Sequence, residues 1–171
     1  IALWGFMAFL LYSVAQTSAL FDPALERLGS IAGRPAQSVV GDELRVPMAA
    51  DGHFWVVASI NGAQRRMLVD SGATVTAVPV ETAEAAGLDT AANPVPVMIR
   101  TANGTIAAQS TRAKELRLGN IVARDLGVIV SPAFGDTHVL GMNFLSRLES
   151  WRVEGRTLIL VPHNHQPLNQ G

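Results

Sequence analysis

Met67-Leu68-Val69-Asp70-Ser71-Gly72-Ala73 runs an apolar segment into an acidic tight turn, and Thr74-Val75-Thr76-Ala77-Val78 continues from it as a second segment rich in β-branched residues. Both flanks have strand character, while Asp, Ser and Gly are the residues that close a turn through local side-chain bonds and a permissive backbone. An aspartate that only caps its own loop needs no strands around it. Here the pattern predicts a turn held between two strands, which makes Asp70 a candidate for chemistry. About seventy residues further on, Val139-Leu140-Gly141-Met142-Asn143-Phe144-Leu145 presents an apolar strand that ends at glycine and leads into a short helix over 142–148.

Working outward from Asp70, short apolar runs alternate with turn dipeptides. Asp51-Gly52 separates 44–48 from 54–60, and Asn61-Gly62 separates that run from 65–69; both dipeptides readily supply the positive φ of a two-residue hairpin turn. Three strands thus lead into the aspartate. Pro79 opens a helix over 80–86 that Gly87 ends. Strands at 95–101 and 105–112 flank Asn103-Gly104, strands at 114–118 and 121–126 flank Gly119-Asn120, and a further apolar strand covers 128–130. Glu154-Gly155 joins the last pair, 151–153 and 157–161. Many short strands at brief intervals predict an all-β domain with one or two small helices. No second copy of the aspartate turn occurs: Asp136-Thr137 is followed by His138, not glycine.

Composition narrows the function. The chain has 171 residues, 49% hydrophobic and 16% charged, which suits one globular core. A formal net charge of -1 without a long basic run argues against a nucleic-acid partner. Cysteine is absent, which removes disulfides, thiolate metal sites and thiol nucleophiles and suits an exported domain. Residues 1–16 are uncharged and almost wholly apolar, with Trp4 and Tyr12 as interfacial aromatics. They read as part of a transmembrane helix whose upstream flank is not in the sequence, as a signal segment cut after Ser13-Val14-Ala15, or as a buried helix of a soluble domain. Residues 17–43 read as a short amphipathic helix from Asp22-Pro23 with Leu25, Leu28 and Ile31 on one face, then a linker. The folded domain is expected over 44–162 and a flexible tail over 163–171.

Asp70-Ser71-Gly72-Ala73 followed by Val139-Leu140-Gly141 resembles the retropepsin-like aspartic proteases, half-sized relatives of pepsin. The resemblance covers 44–162 and implies a small closed barrel, one catalytic aspartate per chain, and activity only as a homodimer on a peptide or protein substrate. It assigns Asp70 as catalytic and Ser71, Gly72, Ala73 and Thr74 to the active-site loop, with the Ser71 hydroxyl holding two such loops together across a dimer axis. Ala102, Asn103, Gly104, Thr105 and Ile106 occupy the place of the substrate-covering flap, and Leu140, Gly141 and Asn143 that of the element threaded beside the aspartate. Two departures stand out. Retroviral members carry Asp where this chain has Thr74 and Arg where it has Met142, an ion pair near their dimer interface; both charges are missing together, so neither is stranded.

The chemistry behind a paired aspartate is general. Two carboxyls about 3 Å apart cannot both ionise, so the pair shares one proton and holds a base and an acid at once. Thr76 could line a substrate site or satisfy local backbone groups. Other candidates are weaker: His163 and His165 lack a third metal ligand, His53 and His138 receive no role, and Ser131, Ser146 and Ser150 lack the glycine-flanked elbow of a serine hydrolase. No metal or organic cofactor is implied. The resemblance points to a bacterial-type endopeptidase, either anchored in the inner membrane with its domain in the periplasm or exported after signal cleavage. The rival readings are a non-catalytic peptide-binding module and a tethered dimerisation scaffold on the same fold.

Overall fold

A computed structural model describes residues 37–101 and 104–163. The apolar segment 1–16, the amphipathic helix and linker as far as residue 36, Ala102, Asn103 and the tail from 164 lie outside the described residues.

The described chain is mostly strand, in the order β1 (Ser38–Val40), β2 (Glu43–Pro47), β3 (Trp55–Ile60), β4 (Ala63–Val69), β5 (Thr76–Val78), α1 (Val80–Ala85), β6 (Val97–Thr101), β7 (Gly104–Leu118), β8 (Ile121–Val130), β9 (Val139–Leu140), α2 (Met142–Leu145), β10 (Ser150–Glu154) and β11 (Thr157–Val161). The glycine-bearing turns explain the hairpins. At Asn61 and Gly62 both φ values are positive, 47° and 94°, and Ile60 pairs with Ala63, the backbone that lets two antiparallel strands keep their twist. Two small differences from the turn reading follow from how glycine is used. Glu154 pairs with Thr157 and Thr101 with Gly104, so Gly155 opens its turn at φ 58° and Gly104 already belongs to β7. β1 is a correction: residues 38–40, read as linker, pair with β2 through Ser38–Arg45 and Val40–Glu43.

Two sheets result, β1-β2-β11-β10 and β3-β4-β9-β5-β8-β7-β6, with a further pairing of β3 to β7 at Ser59–Arg117 and Ile60–Leu116. Their inner faces share one core that includes Leu44, Val46 and Leu160 from the first sheet and Ile60, Met67, Leu116, Leu126 and Leu140 from the second, with Phe144 of α2 among them. Each such side chain contributes about 1.5–3 kcal/mol on burial, set against the entropy of ordering the chain.

β7 and β8 are longer than the sequence pattern predicts, 15 and 10 residues where two shorter strands each were expected. A change of buried face falls inside each strand. Buried positions run Thr111, Ala113 and then Leu116, Leu118 in β7, and Ile121, Ala123 and then Leu126, Val128, Val130 in β8. The phase slips where Asp125 takes φ 51° and the ladder passes from Ala113–Leu126 to Glu115–Arg124. Arg112 clamps the kink, its Nε and Nη2 donating to the Asp125 carboxylate and Nη2 also to the Asp125 carbonyl.

Candidate active site

Asp70 stands where β4 ends. β9 runs parallel to β4, with Leu68 beside Val139 and Val69 beside Leu140, and antiparallel to β5 at Ala77–Val139. The strand entering the Asp70 turn and the strand leaving it therefore lie on either side of one two-residue strand from far along the chain. The Asp70 N–H donates to the Leu140 carbonyl at 3.1 Å, which fixes the turn to β9. The Gly72 N–H donates to Asp70 Oδ1 at 2.8 Å, and the Ala73 N–H reaches the Asp70 carbonyl at 3.3 Å. A Cβ on Gly72 would sit 3.1 Å from Asp70 Oδ1, so glycine leaves room for the carboxylate to keep its backbone donor. Asp70 is half-buried, while Ser71, Gly72 and Thr74 are exposed. The result is a carboxylate on a rigid base with its loop turned outward.

The base is an interlock of two backbones. Met142 N–H donates to the Ala73 carbonyl at 2.7 Å and Asn143 N–H to the Thr74 carbonyl at 3.1 Å. Asn143 Oδ1 accepts from both the N–H and the hydroxyl of Thr76, each at 2.9 Å, and Asn143 Nδ2 donates to the Gly127 carbonyl at 2.8 Å. The Gly141 N–H completes the set with a bond to Thr76 Oγ1 at 3.3 Å. Such closeness requires glycine at 141, where a Cβ would lie 2.8 Å from the Ala73 oxygen and 2.8 Å from the Val75 carbonyl carbon. Of the two readings open for Thr76, the structure favours the local one: it is fully buried in the interlock. Gly127 had no signal in the sequence, because only a backbone carbonyl is used.

The β6–β7 hairpin carries the remaining candidates. Thr105 pairs with Arg100 and Ile106 with Ile99, and the Thr101 hydroxyl donates to the Gly104 carbonyl at 2.8 Å. Gly104 and Thr105 are exposed and Ile106 half-buried. Met98 and Val97 add apolar surface on the outer strand, 68% and 40% exposed. The buried Ser131 hydroxyl donates to the Ala107 carbonyl at 2.8 Å, so Ser131 is a structural tie.

One residue given no role in the sequence reading has a defined place. His138 precedes β9 and accepts the Leu68 N–H on its carbonyl at 2.8 Å. Its Nε2 lies 2.7 Å from Thr82 Oγ1, which also accepts from Arg65 Nε at 2.9 Å. Burial pushes the His138 pKa below 6.5, and the Arg65 charge works the same way, against the opposing pull of Asp136 and Glu81. Nothing in the residue pattern announces this contact, since its three side chains come from β4, α1 and the segment before β9. Among the described residues no group of three His, Cys, Asp or Glu side chains is placed to hold a metal.

Comparison with known proteins places this geometry. The family described as "gag-polyprotein putative aspartyl protease" matches residues 56–147, a span from β3 to just past α2 that takes in both the Asp70 turn and the Gly141 interlock. The chain belongs to the retropepsin-like aspartic protease family. It is 36% identical over 156 residues to an uncharacterized protein in the cobV 5' region of Sinorhizobium sp, covering 87% of this chain and 66% of that one. It is 28% identical over 122 residues to uncharacterized protein RP867 of Rickettsia prowazekii (strain Madrid E), covering 69% and 51%. The chain thus spans just under two thirds of the first relative and about half of the second. The crystal structure of a retropepsin-like aspartic protease from Rickettsia conorii superposes with a TM-score of 0.62 at 28% identity, over 70% of this chain and 90% of that one. The mostly-β fold is therefore the retropepsin-like one.

Proposed function

We propose that this chain is one protomer of an aspartic endopeptidase in which two copies of Asp70 meet across a two-fold axis and activate a water against a peptide bond. The observation that carries the reading is the half-buried Asp70 carboxylate, held by the Gly72 N–H on a turn whose Ser71 and Gly72 are exposed. A single carboxyl cannot begin the reaction as both base and acid. Two facing copies share one proton, so one takes a proton from water while the other gives one to the substrate carbonyl. A two-fold axis beside the loop supplies the second copy without a second motif in the sequence.

In this reading the two-residue β3–β7 pairing closes the barrel wall, and the exposed Ser71 hydroxyl contacts the partner's loop. The β6–β7 hairpin covers an extended substrate bound by main-chain bonds, as an added strand would be. Residues 1–16 anchor or export the domain, a part that rests on their apolar sequence alone. Among the described residues no helix is long and apolar enough to cross a membrane.

The test is Asp70→Asn. Incubated with a peptide library from acidic to neutral pH, the wild-type chain should cleave and the variant should lose cleavage by several orders of magnitude with its unfolding transition unchanged. Equal cleavage by the two proteins would remove the proposal. Peptide binding that persists in both, with cleavage by neither, would favour the non-catalytic module instead.

A further inference from the structure

The kink in β8 has a second consequence, on a different part of the molecule from Asp70. Where the ladder slips, the carbonyls of Arg124 and Asp125 accept bonds from side chains, the Asp125 one from Arg112. Arg147, just beyond α2, takes them both: Nη1 donates to the Arg124 carbonyl at 2.6 Å and Nη2 to the Asp125 carbonyl at 3.1 Å. Beside this guanidinium lies a cavity of about 230 Å³ lined by residues 121–124, by Phe144, Arg147 and Leu148, and by Pro162 and His163. Two arginines, Arg124 and Arg147, stand in its wall. Arg45, Arg112, Arg117 and Arg152 each meet a carboxylate. Among the described residues Arg147 hydrogen-bonds only carbonyl oxygens, its charge also reaching the Asp125 carboxylate that Arg112 holds, and the Arg124 side chain has no hydrogen-bond or ion-pair partner. Among the described residues no acidic side chain lines the cavity.

We propose that this cavity binds a small phosphate-type oxyanion. Two bonds occupy one N–H on each Nη of Arg147, which leaves the Nε–H and two Nη N–H groups of the five that a guanidinium carries. Arg124 contributes a second fork, and the His163 ring a further nitrogen. Planar forks suit tetrahedral oxyanions, which accept two parallel bonds from each. The size agrees: the volume corresponds to roughly eight waters at about 30 Å³ each, too small for a drug-sized ligand and enough for an oxyanion with part of its hydration. A bound anion would join α2 to β8, the two elements that Asn143 also ties through Gly127.

Binding to the folded state alone raises the unfolding temperature, so the test needs no enzymatic activity and stands apart from the protease proposal. The full chain is titrated with sodium phosphate, sulfate, acetate and chloride at matched ionic strength and followed by thermal unfolding, with Arg124→Gln in parallel. Arg124 is exposed and caps nothing, so the variant should fold as wild type does. The expected result is a saturable rise with phosphate and sulfate in the wild type, and an affinity about tenfold or more weaker in Arg124→Gln, the size of one lost charge-assisted bond set. The general salting effect of these anions moves both proteins alike and cancels in the comparison. Broadening of the phosphate ³¹P signal by wild type but not by the variant is the second readout. Identical titrations of the two proteins would overturn the site, and an equal, Arg124-dependent response to acetate would overturn its phosphate class.

Discussion

Gly141→Ala tests the interlock at its tightest point. The backbone there is extended, φ -94° and ψ -175°, which alanine adopts without strain, and the lower entropy of the unfolded variant favours folding, so any destabilisation is steric. The new methyl would stand 2.8 Å from the Ala73 oxygen, 2.8 Å from the Val75 carbonyl carbon and 2.9 Å from the Val75 oxygen. All three are backbone atoms, with no rotamer to turn aside. Relief requires β9 to move off the 73–76 segment, and that stretches the Met142–Ala73 and Asn143–Thr74 bonds now at 2.7 and 3.1 Å. Overpacking of this kind costs about 1–3 kcal/mol, and two weakened backbone bonds add roughly 1 kcal/mol each. A total of about 4 kcal/mol is a large share of the ~5–15 kcal/mol available to a domain. In urea, with a slope of about 2 kcal/mol per M, the midpoint should fall by about 2 M. Protomer concentration must be held fixed, because any self-association adds to apparent stability. A variant within 0.5 M of wild type in midpoint, with the same slope, would show that the threaded strand is not sterically clamped and would refute the reasoning.

Asn143→Ala removes three bonds at once and leaves the N–H and hydroxyl of the buried Thr76 without their acceptor; chemical denaturation should read a loss of about 2–4 kcal/mol, and a loss under 0.5 kcal/mol would mean that water replaces the amide. The His138 contact predicts a pH dependence. Its folded pKa lies below the ordinary 6.5, so as pH falls below about 6.5 the unfolded chain takes up a proton that the folded chain resists, and stability declines until the folded group is also protonated. His138→Gln keeps a hydrogen-bonding group, donor or acceptor, for Thr82 and removes the titration; thermal unfolding against pH should show a shallower acid decline in the variant, and superimposable profiles would exclude His138 as the cause.

What could be read from the sequence was whatever neighbouring residues decide. The Asp70 turn, the hairpin at Asn61-Gly62 and the helix from Val80 are local events, each specified within a few positions. Gly155 shows the limit of such signals: the same glycine can close one kind of two-residue turn or open the other, and only the pairing of Glu154 with Thr157 selects between them. The halves expected for β7 and β8 are continuous strands: the expected break at 113 lies beside the change of buried face, but the one at Gly127 does not, since Leu126, Val128 and Val130 keep one face, and the kink at Asp125 left no local signal. Asn143 was legible as a residue of the resembled element and illegible in its action, since its partners Thr76 and Gly127 are 67 and 16 residues away. The Arg65–Thr82–His138 contact left no trace at all. Side chains that meet through tertiary packing carry no periodicity.

The interlock also bears on why one aspartate per chain can suffice under the dimer proposal. Bringing two carboxylates close enough to share a proton is unfavourable unless both are already held in place, because ordering mobile loops and uniting like charges would add. Here the ordering is complete within one protomer. Leu140 holds the Asp70 N–H, Gly72 holds its carboxylate, and Gly141, Met142 and Asn143 hold the segment that follows. The exposed residues, Ser71, Gly72 and Thr74, are small or uncharged, and Thr74 and Met142 add no charge that would have to be desolvated on approach. Under the dimer proposal, association would have to overcome the repulsion between two carboxylates and little else at the loop. Under that proposal, sharing one proton would remove the repulsion, so the step that pairs the protomers would also set one aspartate as acid and the other as base.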